Sequence, residues 1–191
     1  MARPRIDEDE IRNRLIDAAE LALEDSRGQR LVLSDLARRV GISQSYTHRF
    51  FPTKADLVRA LAQRWFADVE QESRRALEDG GPASKRLKAW VLNCLRIKRD
   101  RYDKNPILFD AYLDLASGHM DLVKIHTSRL RRDLEEIVSG IVSAGDVERA
   151  THLIEDATLL FRTPHNISRY RLLATDERAE DVVDMLISHL E

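Results

Sequence analysis

Between Asp35 and Asp56 the chain carries Arg38, Arg39, Arg49 and Lys54, together with His48, and not one carboxylate. The whole chain has 33 acidic against 31 basic residues, a net charge of −2, so this run is a local choice and not a product of bulk composition. Guanidinium, ammonium and imidazole groups presented together without acids suit one chemistry in particular. They donate to phosphate oxygens and displace the counterions around a polyanion. Gln44, Ser45 and Tyr46 lie among them, and their amide and hydroxyl groups both donate and accept. That set matches base edges as well as phosphates.

Nothing comparable supports catalysis or metal binding. The sequence holds no glycine-rich phosphate loop, no serine elbow and no cysteine paired with motif histidines. A carboxylate-bridged bundle needs two Glu-x-x-His pairs, and none occurs. His152 with Glu155 and Asp156, or His119 with His126, come nearest to a ligand set, yet a metal site needs more converging donors. The expectation is therefore no catalytic residue, no metal and no cofactor. Cys94 is alone, which excludes an internal disulfide and fits a reducing compartment. The opening MARPRIDEDEIRNR has no apolar segment of the secretory kind, and no apolar run approaches membrane-spanning length. A cytoplasmic protein without membrane contact is expected.

The elements that must position the basic window are helical. At 191 residues, with 43% hydrophobic residues and only seven glycines and five prolines, the chain can bury a sizeable core. Its apolar residues recur at spacings of three and four, and strand signals are nearly absent. Asp7 to Asp25 reads as a first helix with acids in its first turn, where they complement the helix dipole. Short helices follow around Ser34 to Val40 and Gln44 to Phe51. Thr53 with Asp56 forms a capping-box pair that opens a long helix. Beyond the break EDGGP at 78–82 come four or five more helices, the last two being Val147 to Phe161 and Ala179 to Leu190. The fold class is all-α with about nine helices: a three-helix domain over 1–54 and an all-helical domain over 55–191.

Two short helices joined by a tight glycine turn make a helix-turn-helix, whose second helix lies in the DNA major groove. Ala37 is small enough for close helix crossing, Gly41 suits a left-handed helix end, and Ser43 can cap the second helix. With Thr47, Phe50 and Phe51 facing the core, Ser45 and Arg49 point most directly outward, flanked by Tyr46 and His48, with Gln44 at the exposed first turn. The expected DNA contacts are Gln44, Ser45, Tyr46, His48, Arg49, Thr53, Lys54 and Ser34. Arg3 and Arg5 have the composition of a DNA-reaching arm.

The segments IRNRLIDAAELAL and LVLSDLARRVGISQSYTHRFFPTKADLVRAL resemble the N-terminal domain of the TetR family of bacterial transcriptional regulators. The resemblance covers about the first 60 residues. Departures are Val32 where the family commonly has a capping threonine, His48 where a tyrosine usually touches phosphate, and Thr47 in place of a larger aliphatic residue. The resemblance implies a homodimer on a near-palindromic double-stranded operator, released when a small-molecule effector binds the C-terminal domain. Trp65, Trp90, Phe109 and Tyr112, with Cys94, are the candidates for lining the effector pocket, although each also suits plain core. The last two apolar helices, through Leu153, Ala157, Leu160, Val183 and Leu186, are implied as the dimer surface. The rival reading is a helical small-molecule binding or adaptor protein with a vestigial DNA-binding domain.

Overall fold

The computed structural model describes residues 7–26 and 31–191, so Arg3 and Arg5 lie outside the described residues. Among these it has eleven helices and no strand. They are α1 (Glu8–Asp25), α2 (Leu33–Val40), α3 (Gln44–Phe50), α4 (Lys54–Glu78), α5 (Ala83–Lys104), α6 (Pro106–Ser117), α7 (Met120–Val138), α8 (Val147–Ala157), α9 (Leu159–Arg162), α10 (Pro164–Arg169) and α11 (Asp176–Leu190). The expected all-α class is what the chain adopts. The surplus over about nine comes from α9 and α10. Buried Thr158 divides α8 from α9, its Oγ1 donating to the Ile154 carbonyl at 2.6 Å. Pro164 then stands at the first position of α10, where its missing N–H is harmless and its fixed φ suits a helix start.

The chain forms two compact units. One gathers the described residues up to Trp65 together with Ile107–His119; the other holds Phe66–Pro106 and Met120–Glu191. The described residues of 1–54, read from the sequence as the DNA-binding domain, fall in the first unit, and the division itself lies inside α4.

In the first unit, α1 starts at Asp7, whose side chain accepts from the Asp9 N–H at 3.0 Å. Its buried stripe of Ile11, Leu15, Ala19 and Leu23 packs with Leu36 and Val40 of α2 and with Phe51, Leu57 and Leu61. Arg14 donates to the Val40 carbonyl at 2.9 Å, satisfying one of the acceptors that a helix end leaves open.

The second unit is organised around α5, which packs against α7, α9, α10 and α11. Leu87, Trp90, Val91, Cys94 and Leu95 of α5 are fully buried. The Trp90 indole donates to Ser73 Oγ at 2.6 Å, and Ser73 in turn donates to Asp133 at 2.8 Å. This chain of bonds ties α4, α5 and α7 at one level. Among the described residues no helix is long and apolar enough to cross a membrane.

Candidate nucleic-acid interface

The turn between α2 and α3 is built by Gly41, at φ 77°, the left-handed conformation that side-chain-bearing residues avoid. That backbone lets the Ile42 N–H reach back to the Ala37 carbonyl at 3.0 Å and closes α2. Ser43 then caps α3, its hydroxyl accepting from the Tyr46 N–H at 3.2 Å. Thr47 is fully buried and its hydroxyl donates to the Ser43 carbonyl, so the position is filled by a small side chain that satisfies itself. Phe51 is buried and the Arg12 guanidinium lies over its ring. The start of α2 has Val32 as its cap, with no side-chain bond.

This geometry turns Gln44, Ser45, His48 and Arg49 to solvent, with Ser34 exposed on α2. Tyr46 is half-buried: its ring meets Phe50 edge-on at 5.2 Å and lies under the Arg49 guanidinium at 5.5 Å. It therefore acts as a platform for Arg49 as much as a contact of its own. His48 Nδ1 faces the Pro52 carbonyl at 3.1 Å. A carbonyl only accepts, so Nδ1 carries the proton, and Nε2 can donate to a phosphate only when the ring is doubly protonated.

Lys54 is exposed as the first residue of α4 and forms no ion pair with any described residue. Its position is set by Thr53 and Asp56. The Thr53 N–H and hydroxyl both donate to the Asp56 carboxylate, at 2.9 and 2.7 Å, and the Asp56 N–H donates back to Thr53 Oγ1 at 3.2 Å. Thr53 therefore has its hydroxyl proton engaged within the cap and serves to position Lys54.

The window is free of acids along the chain but not in space. Arg49 pairs with Glu8 of α1 at 3.1 Å, Arg39 with Asp25 at 2.8 Å, and Arg38 with Asp35 at 2.7 Å. Exposed pairs of this kind contribute about 0–1 kcal/mol, so a phosphate or a guanine edge can replace the carboxylate. Glu8 was not legible as a site residue, since 41 positions separate it from Arg49. Glu8→Gln removes the internal competitor and a negative charge together. DNA affinity is expected to rise about two- to fivefold, the range a surface pair allows, in fluorescence-anisotropy titrations at fixed salt. An unchanged affinity would mean that the Glu8–Arg49 pair contributes no net free energy to the DNA-free chain.

The five effector candidates do not form one group. Trp65, Phe109 and Tyr112 belong to the first unit, where the Trp65 and Tyr112 rings stack at 4.1 Å and Phe109 meets Trp65 at 5.5 Å. Tyr112 also donates to Glu20 at 2.6 Å. Trp90 and Cys94 belong to the core of the second unit. Of the five, Cys94 borders a cavity of about 300 Å³ in that unit.

The dimer candidates divide as well. Leu153 and Ala157 are exposed on α8 and Leu160 is half-buried, but Val183 and Leu186 are 0% and 4% exposed inside the core. Those two are corrected: α11 turns its branched residues inward, and its outward apolar residue is Met185, 65% exposed.

The family model described as the tetracyclin repressor-like C-terminal domain matches residues 83–183. The HTH-type transcriptional repressor LfrR of Mycolicibacterium smegmatis (strain ATCC 700084 / mc(2)155) is 32% identical over 103 residues, 54% of this chain and 50% of that protein. The chain thus spans about half the length of this curated relative. Among solved structures, a TetR/AcrR-family regulator from Thermobifida fusca YX-ER1 superposes with TM-score 0.67 at 16% identity, covering 93% of this chain and 97% of the other. FadR from Bacillus subtilis, in complex with stearoyl-CoA, gives TM-score 0.64 at 13% identity, covering 94% and 99%. These similarities establish a shared fold. With more than half of its length matched by the family model, the chain belongs to the TetR family.

Proposed function

We propose that this chain is a sequence-specific DNA-binding transcriptional regulator, a repressor that leaves its operator when a small molecule binds the second unit. The observation that carries the reading is the outward face of α3. Gln44, Ser45, His48 and Arg49 are exposed together on a helix held by the Gly41 turn and the Ser43 cap, with Lys54 exposed at the start of α4. Gln44, Ser45 and Arg49 supply base contacts, and Lys54 with protonated His48 supplies phosphate contacts. Family membership and the relative named a transcriptional repressor support the same conclusion. FadR's bound stearoyl-CoA supports ligand response. Release requires the ligand to prefer the conformation that does not fit DNA; tight binding without that preference shifts nothing.

Binding to the chain's own upstream DNA, measured against a random duplex at several salt concentrations, tests this directly. A regulator of this kind prefers its own sequence by about 10³-fold or more and loses affinity steeply as salt rises. Equal, salt-insensitive binding to both duplexes would leave a helical small-molecule binding protein as the better reading.

A two-fold dimer matches a near-palindromic operator. Its surface is proposed on the exposed residues Leu153 and Ala157 of α8 and Met185 of α11. Leu153→Glu places a charge on that face and is expected to shift sedimentation from dimer to monomer. A dimer that persists in this variant removes α8 from the interface.

A further inference from the structure

The cavity bordered by Cys94 lies within the second unit among α5, α7, α8 and α9, and two cations in its wall form no ion pair with any described residue. Lys98 is 4% exposed, and its ammonium makes one hydrogen bond, to the Arg162 carbonyl at 2.7 Å. An ammonium has three protons to donate, and Lys98 forms no ion pair with any described residue. Arg162 donates from Nε to Thr158 Oγ1 at 2.8 Å and from Nη2 to the Glu155 carbonyl at 3.0 Å. Its guanidinium also lies 5.3 Å from the Trp90 ring centre, again without an ion pair. Buried charges are ordinarily paired or ligand-bound.

Two carboxylates, Glu155 and Asp156, border the cavity and act on Arg162 through space, but neither forms an ion pair with Lys98 or Arg162. Burial pushes the Cys94 thiol up, which keeps it protonated. Glu155 is held by Arg131, and Asp156 is exposed at the rim. His126 is held by Glu70 at 2.9 Å, and burial pushes its imidazole down to about 4, so it is uncharged near neutrality. Burial likewise pushes Lys98 down, and pushes Arg162 down against the opposing pull of Glu155 and Asp156. Leu130 and Leu159 add apolar wall.

We propose that this cavity binds a small organic monoanion, its carboxylate paired with Lys98 beside Arg162 and its apolar part against Leu130 and Leu159. The inference rests on the ligand-responsive reading above and names the chemistry of the ligand. At about 300 Å³ the cavity is at the small end for ligand sites, which suits a short-chain or single-ring acid.

The test compares benzoate and hexanoate with benzamide and hexanamide, using the full chain without DNA. Calorimetric titration is expected to show saturable carboxylate binding, about tenfold or more tighter than that of the matched amides. Lys98→Met keeps the length of the side chain and removes the unpaired charge, so the variant is expected to unfold no earlier than wild type while losing the carboxylate preference. Carboxylates that bind wild type no better than their amides, or bind Lys98→Met equally well, overturn the proposal. Because DNA is absent, the result is independent of whether the anion also changes operator affinity. A carboxylate that binds at Lys98 yet leaves DNA affinity unaltered would count against induction, not against this site.

Discussion

Arg49→Glu combined with Lys54→Glu is expected to abolish operator binding at physiological salt while leaving a folded protein. Both side chains are exposed, and the pair with Glu8 that Arg49 gives up contributes about 0–1 kcal/mol, so the cost to folding should stay at about 1 kcal/mol. The effect on DNA is much larger. Each good base contact contributes about 1–3 kcal/mol of discrimination, and a two-fold dimer presents Arg49 twice. Loss of the Arg49 contact alone then removes about 2–6 kcal/mol, roughly 30- to 10⁴-fold in affinity. Reversal at Lys54 adds repulsion from the backbone and lowers the salt dependence, since fewer counterions are released. Nuclease protection of the operator, with circular dichroism and sedimentation as controls, reads all three properties. Protection equal to that of wild type would show that α3 does not seat in the groove.

The second large effect concerns acid stability. His126 is buried, stacks on Phe66 at 4.2 Å and bonds Glu70 at 2.9 Å. Burial holds its imidazole at about 4, below the ordinary 6.5, although the Glu70 contact pulls the other way. As pH falls below about 6.5 the unfolded chain takes up this proton first, so the unfolded state gains and stability is lost until about pH 4. Above 6.5 the contribution is complete. The full interval corresponds to at most about 3 kcal/mol. Urea midpoints are expected to drop over this range in wild type and to follow a flatter profile in His126→Gln, which keeps a polar partner for Glu70 without the titration. Parallel profiles would assign the acid sensitivity to carboxylates elsewhere.

The local devices of the first unit were legible because each is written in adjacent residues. Asp7, Gly41, Ser43 and the Thr53–Asp56 pair announce helix ends within four positions, and the structure uses all of them. Features that depend on distant partners were hidden. A window without carboxylates says nothing of Glu8, which reaches Arg49 from another helix. Lys98 sits in the almost wholly charged string RIKRDR, and only the packing of α5 against α9 shows that its ammonium is inside. In α11 the apolar residues mark a stripe without saying what covers it. Val183 and Leu186 are buried in the core of the second unit, while Met185 faces out. Of the aromatic candidates, Trp65, Phe109 and Tyr112 meet in the first unit and Trp90 lies in the second; chemical likeness does not tell which unit a side chain joins.

The Glu8–Arg49 contact also bears on how evenly the regulator treats different DNA. A carboxylate that must be surrendered before the arginine engages weakens every such engagement by the same amount, whatever base lies opposite. In the proposed reading the ranking of target sequences is left to Gln44, Ser45 and Arg49 against the groove edge, while the acid on α1 shifts only the overall affinity, alike for every sequence. Occupancy and address are thereby controlled from different helices, and changing one leaves the other in place.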